Sequence, residues 1–277
     1  MSARNRKFWQ RLGVYLGLTL TAAIILFPLY IAFSTSLKTP SQVFVQPYQW
    51  VPDPVTWENY PRVFQLVPLG RFLWNSVVHS TMTTLGVLIT SSLAAYAIVY
   101  INFPGRNLIF GLMLATMMVS GEVTIIPNYL TIHRLGWVDT FWGLSVPFMA
   151  TGFGIFLLRQ FFMQVPKELY EAATIDGASR LRYLLTILLP LSRPALATLG
   201  VYTFLSTWNQ YFWPLIVTNR TAMRTVQIGI AMLRDSEGDA WHSIMAGVTV
   251  VTVPAIVVFL LFQKQLIRGI VGGALKG

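Results

Sequence analysis

Long apolar runs alternate with short polar segments along nearly the whole chain. Residues 12–37, 72–105, 140–158, 194–219 and 240–263 contain no Asp, Glu, Lys or Arg, and 107–129 contains only Glu122. A spanning helix needs about 20 mostly apolar residues, so each of these stretches can cross a bilayer. Continuous apolar runs of this length exclude ordinary strands. Backbone groups in hydrocarbon must pair within their own segment, which leaves helices. The pattern therefore predicts an all-α membrane protein with six transmembrane helices, at about 12–36, 73–99, 107–127, 141–162, 194–217 and 242–263. Pro28 predicts a kink in the first; Pro147, Gly152 and Gly154 loosen the fourth. The 72–105 run is long for one helix and short for two, and reads as one helix with overhang.

Composition agrees. Hydrophobic residues make up 55% of the 277 and charged residues 11%, against roughly 25% charged in a soluble domain. With the N-terminus inside, the inner segments hold 13 of the 20 Lys and Arg residues: Arg4, Arg6, Lys7, Arg11, Arg106, Arg159, Lys167, Arg180, Arg182, Arg193, Lys264, Arg268 and Lys276. They hold only Glu168, Glu171 and Asp176 among the acids. The positive-inside rule then puts both termini and the 163–193 loop in the cytoplasm. It also explains the net charge of +10 with no nucleic-acid partner. The basic residues before the first run mimic a signal peptide, but that run is too long for an h-region and lacks a clear cleavage site. It reads as a retained helix. The chain thus divides into an arm (1–11), one membrane domain (12–263) and a Gly-rich tail (264–277). The outer loop, 38–70, carries six prolines and the aromatics Tyr48, Trp50, Trp57 and Tyr60. These suit either an interfacial belt or a partner surface.

The 163–193 loop has helix signals of its own. Pro166 suits a first turn, and Glu168 and Glu171 favour the positive end of the helix dipole. Gly177 predicts a stop. Ser179 can cap a second short helix, in which Leu181, Leu184, Leu185 and Leu188 form an apolar stripe. Pro190 and Pro194 lead the chain back to the membrane. The small residues Ala172, Ala173 and Ala178 leave room for another backbone, and Glu171 offers a carboxylate to a cationic partner. An amphipathic segment resting on lipid headgroups fits the same pattern.

Read as a string, Glu171, Ala172, Ala173, Gly177, Ile187, Leu189 and Pro190 resemble the coupling loop of the permease subunits of bacterial ATP-binding-cassette importers. The loop's place between the fourth and fifth of six helices is also similar. The resemblance covers nearly the whole chain. Residues 30–38, Phe103-Pro104-Gly105-Arg106 and the Gly273–Gly277 ending look like the carbohydrate-uptake branch. Gly121-Glu122-Val123 with Pro127, Arg159-Gln160-Phe161-Phe162 and the run from Trp208 to Leu215 look like its glycerol-3-phosphate permeases. The resemblance implies the type I importer permease fold, with Glu171 as polar anchor, Ala172 and Ala173 as the close-contact face, and Asp176 and Gly177 as the turn. Ala178, Leu189 and Pro190 complete the ATPase-coupling set. It further implies a second permease subunit, two ATPase subunits that use ATP and Mg, and an extracytoplasmic solute-binding protein.

Candidate cargo contacts are sparse. Glu122 is an ionisable residue at membrane depth, where such residues usually face a cavity or a partner; an arginine pair or the outer interface would also accommodate it. On a straight helix from Asn107 it lies ~22 Å along the axis. Trp208, Asn209 and Tyr211, near the middle of the fifth helix, offer ring faces and an amide to a polyol or sugar. An Asn among helices can equally join them. Asn75 and His79 are weaker candidates, since a lone membrane His is more often a packing residue. The chain has no Cys and only three His, and lacks HExxH, a nucleophile elbow and the phosphate-binding GxxxxGK[ST] loop. No catalytic residue, metal site or cofactor is expected in it, and any ATPase must be another chain. A stand-alone secondary transporter would show inverted repeats, which are not evident. An intramembrane enzyme would need paired catalytic residues at one depth, which Glu122 alone does not supply.

Overall fold

A computed structural model describes residues 3–238 and 240–274, all helix, turn or loop with no strand among them. Lys276, used above to orient the chain, lies outside the described residues, as do the last three positions of the Gly273–Gly277 ending. Three helices contain single spans by length and composition: Arg11–Ser36, Leu69–Tyr100 and Trp241–Lys264. Their helices run Ala3–Ser36, Leu69–Tyr100 and Trp241–Ala274. Helix thus begins well before residue 12 and continues past 263. Pro28 lies inside the first, and the 72–105 run holds one helix, as expected, with overhang only after Tyr100.

The other three expected spans are broken. The third turns by 101° between Arg106–Met118 and Gly121–Arg134. Val119 and Ser120 adopt extended backbone there, at a Ser-Gly pair, one of the few ordinary causes of a sharp kink. The fourth bends by 50° between Phe141–Phe148 and Gly152–Phe162. Pro147 has no N–H to continue the ladder, and Thr151 starts the second piece by accepting from the Gly154 N–H at 3.1 Å. Thr90 donates to the freed Met149 carbonyl at 2.6 Å, so the break leaves that group satisfied. The expected 194–217 helix is two, Arg193–Trp208 and Phe212–Val217. Had it continued, the Pro214 ring would clash with the Gln210 carbonyl. Restarting at Phe212 puts Pro214 in a first turn, where no N–H is needed.

The chain forms two compact units. In the unit of 1–69 and 230–252, the proline-rich loop after the first helix is tied to that helix's end. Asn59 Nδ2 donates to the carbonyls of Ser36 and Lys38 at 2.8 and 2.9 Å, satisfying acceptors that a helix C-terminus leaves open. The Lys38 ammonium lies 3.8 Å from the centre of the Tyr48 ring, a cation–π contact. Trp50 and Trp57 remain exposed. The unit of 70–229 and 253–277 has a core of Val87, Leu158, Phe162, Leu184, Leu188 and Leu199. Among apolar spans close approach matters more than transfer from water. A Cβ at Gly152 would stand 2.5 Å from the Met113 carbonyl, and one at Gly154 would overlap the Ser91 hydroxyl.

Candidate functional site

The polar loop takes its shape from local hydrogen bonds. Lys167–Ile175 is helical. Its end is a Schellman motif: the Ala178 N–H donates to the Ala173 carbonyl at 2.9 Å and the Gly177 N–H to Thr174 at 3.0 Å. Gly177 sits at φ +74°, the left-handed region that costs glycine least. Ser179 then accepts from the Arg182 N–H at 3.3 Å and caps the next helix, as expected. Helix stop and helix start are therefore two residues apart.

The two faces of the Lys167–Ile175 helix differ. Tyr170 and Ala173, three apart, turn inward; Ala173 is buried. This corrects the expectation that Ala173 belongs to an outward contact face with Ala172: its methyl group packs against the chain's own core, beside Ala178. Leu169, Ala172 and Ile175, also at spacings of three, are exposed, as are Glu171, Asp176 and Gly177; Ile175 reaches 86%. Four tyrosines hold the inner face. Tyr100 and Tyr183 rings lie 5.4 Å apart, Tyr170 and Tyr183 5.0 Å, and Tyr96 and Tyr100 5.3 Å. The Tyr183 hydroxyl donates to that of Tyr100 at 3.3 Å, and Tyr100 to the Phe162 carbonyl at 3.4 Å. The expected four-leucine stripe divides. Leu184 and Leu188 are buried, while Leu181 and Leu185 are exposed. A π-helical turn at Leu184–Leu188 changes the period that put all four on one side. Leu189 and Pro190 are partly buried where the chain turns by 80° into Arg193–Trp208.

The pathway candidates do not form one constellation. Glu122 lies exposed in the first turn of Gly121–Arg134, so the 22 Å distance along a straight helix is replaced by a position at the break. That site suits its charge, because the helix dipole favours acids there. Trp208 is buried and stacks with Phe204, ring centres 5.9 Å apart. Asn209 is exposed at the break, donating to the Leu205 carbonyl at 2.9 Å while its Oδ1 accepts from Gln227 at 3.4 Å. Tyr211 is half-buried in the same break. Asn75 holds the carbonyls of Ala222 and Arg224, each at 2.9 Å, and so has a packing role. His79 is buried between Ser145, at 3.0 Å from Nδ1, and Gln210, at 3.3 Å from Nε2. It joins one continuous span to two broken ones.

Comparison with known proteins places the chain in a family. Residues 86–272 match the family described as binding-protein-dependent transport system inner membrane component. This chain belongs to that family. The permease is 41% identical over 256 residues to the sn-glycerol-3-phosphate transport system permease protein UgpE of Yersinia enterocolitica, covering 90% of this chain and 91% of that one. It is 39% identical over 271 residues to the protein of the same name from Escherichia coli, covering 95% and 96%. A crystal structure of a bacterial ABC transporter involved in import of the acidic polysaccharide alginate contains a chain 25% identical, with TM-score 0.80 over 96% of this permease and 99% of that chain. Another, of an alginate transporter with an alginate-bound periplasmic protein, shares the fold at 17% identity and TM-score 0.66.

The permease is therefore an inner-membrane transport component with the importer permease fold. Sequence reasoning missed the tyrosine cluster and the partners of His79. Tyr96 and Tyr100 are four apart near the C-terminal end of the Leu69–Tyr100 helix, so their common face was readable; the meeting with Tyr170 and Tyr183 was not.

Proposed function

We propose that this permease is one of two membrane subunits of an ATP-driven importer, with sn-glycerol-3-phosphate or a related glycerophosphodiester as cargo. The observation that carries the reading is the ordered helix–stop–cap unit of the 163–193 loop, which presents Leu169, Glu171, Ala172 and Ile175 outward. A helix whose inner face is locked into the membrane core and whose outer face is bare is suited to pass motion from a partner to the spans. The partner is a separate ATPase subunit, present twice with its ATP and Mg, since this chain has no phosphate-binding loop of its own. Glu171 is the polar anchor, Ala172 the close-contact position, and Asp176, Gly177 and Ala178 the turn. Ala173, Leu189 and Pro190 fasten the unit to the membrane helices. The loop and both termini face the cytoplasm, following the Lys and Arg distribution. A loaded extracytoplasmic binding protein docks on the opposite side. Asn209 and Tyr211 at the helix break, with Glu122 at another, are the pathway candidates; Trp208 supports them from within.

Identity to the UgpE proteins along nearly the full length supports the cargo reading. The likeness to an alginate importer at 25% identity supports an oligosaccharide as second reading. Cells lacking their own glycerol-phosphate uptake, supplied with the complete transporter, should accumulate labelled sn-glycerol-3-phosphate. Uptake of alginate oligosaccharide in its place would favour the second reading. Uptake with no ATPase subunit present would contradict both.

A further inference from the structure

Three cations converge on a cavity beside the first turn of the Lys167–Ile175 helix. It measures about 400 Å³, and its polar lining includes Arg106, Arg159, Lys167, Asn102 and Glu171. Ile98, Phe162 and Met163 make an apolar wall. Arg106 Nη1 donates to Asn102 Oδ1 at 3.1 Å, which holds it at the 102–106 turn. The Arg159 guanidinium rests 4.2 Å from the centre of the Phe110 ring, and its Nε is buried with no hydrogen-bond partner. A buried donor left unpaired is costly, and Glu171 is the single carboxylate among the lining residues. With three cations against one carboxylate, the lining keeps an excess of two positive charges and suits a further anion.

The position favours one source of that anion. The lining comes from the ends of Leu69–Tyr100 and Gly152–Phe162 and the start of Arg106–Ala115. These are membrane-flanking turns, where basic pockets between spanning helices hold lipid headgroups. Leu108, Ile109 and Leu112 leave apolar surface exposed on the Arg106–Ala115 helix, and Met163 does so at the wall; acyl chains can cover such surface. We propose that the cavity binds the phosphate of an anionic phospholipid from the inner leaflet. The proposal rests on the sidedness given above. Lys167 and Glu171 belong to the coupling helix, so the bound headgroup touches the element through which the ATPase acts.

Native mass spectrometry on the complete transporter tests this directly. The complex is taken from nanodiscs of phosphatidylcholine with phosphatidylglycerol, and the retained lipid is identified. Arg106→Gln with Arg159→Gln should lower phosphatidylglycerol retention on the order of 20-fold. Arg106→Lys with Arg159→Lys keeps the charge and should retain most of it, which separates loss of the site from loss of the fold. Arg220→Gln, at an exposed outer position beside Asp139, should change nothing. Equal retention by wild type and the double Gln variant would overturn the proposal. So would a lipid-stripped complex that takes up inorganic phosphate through these two arginines while wild type retains no phosphatidylglycerol; that result assigns the cavity to a free anion. Co-purification of the ATPase is scored in the same preparation, so failure of the importer reading and failure of the lipid site are distinguishable.

Discussion

The 163–193 loop and the broken spans are both departures from a plain helical bundle, yet they are encoded differently. In the loop each turn is decided by residues within six positions of one another: a glycine at φ +74°, a Schellman pair, a serine cap. In the spans the break at residues 149–151 is completed by Thr90, and the break at 209–211 by Gln227 and His79, all remote in sequence. Local encoding gives a segment a shape that survives contact with a changing partner. Remote encoding ties these two breaks to other parts of the membrane unit, because each borrows hydrogen bonds from outside its own segment. In the proposed importer the loop would be the stiff part that receives force and the broken spans the jointed parts that respond.

That contrast can be broken at several points. The largest effect is expected from Tyr183→Ala, which empties a fully buried ring site at the inner face of the loop. Loss of an aromatic core residue costs about 3–5 kcal/mol, so uptake should collapse while the protein still inserts; Tyr183→Phe should lose little more than one hydrogen bond. Next, His79→Leu strands Ser145 and Gln210, a penalty of about 1–3 kcal/mol, visible as a lower melting temperature of the purified complex. Gly177→Val forces a β-branched residue into the left-handed region at roughly 1–2 kcal/mol. No atom lies within 4 Å of the added Cβ, so strain and not collision is responsible, and Gly177→Asn should restore ATP-coupled uptake. Ser179→Ala removes the cap for about 1 kcal/mol and should reduce coupling modestly. The smallest change is expected for Glu122→Gln, an exposed first-turn site worth about 0.3–1 kcal/mol in stability; a large loss of uptake with unchanged melting would instead place Glu122 on the cargo path.

Legibility followed the same division. Helix content, the single spans at both ends of the chain and the 69–100 helix were readable from apolar length alone. So were the loop's Gly177 stop and Ser179 cap, because caps and left-handed positions depend on neighbours in sequence. Ala173 was misplaced: a small residue on a helix fits a partner's backbone or the chain's own core equally well, and only Tyr170, Tyr183 and Ala178 decide between them. The leucine stripe failed because the π turn changes the helical period it assumed. Glu122 was placed by a straight-helix distance that the Ser120-Gly121 break makes irrelevant. Pro214 carried a readable warning against one helix over 194–217, since its ring would clash with the carbonyl of Gln210 four residues back.

In the proposed importer the outer face of the Lys167–Ile175 helix seats on the ATPase subunit. The chain has no cysteine, so a single introduced thiol reports on one position without background. Ile175→Cys, at an 86% exposed site and alkylated with a maleimide-linked benzophenone, should photo-cross-link in membranes to a P-loop ATPase, with a yield that changes when ATP is added. Ala173→Cys, buried on the opposite face, should not. Free labelling of Ile175→Cys by a water-soluble reagent, with no ATPase cross-link in an actively transporting complex, would contradict the docking of this helix.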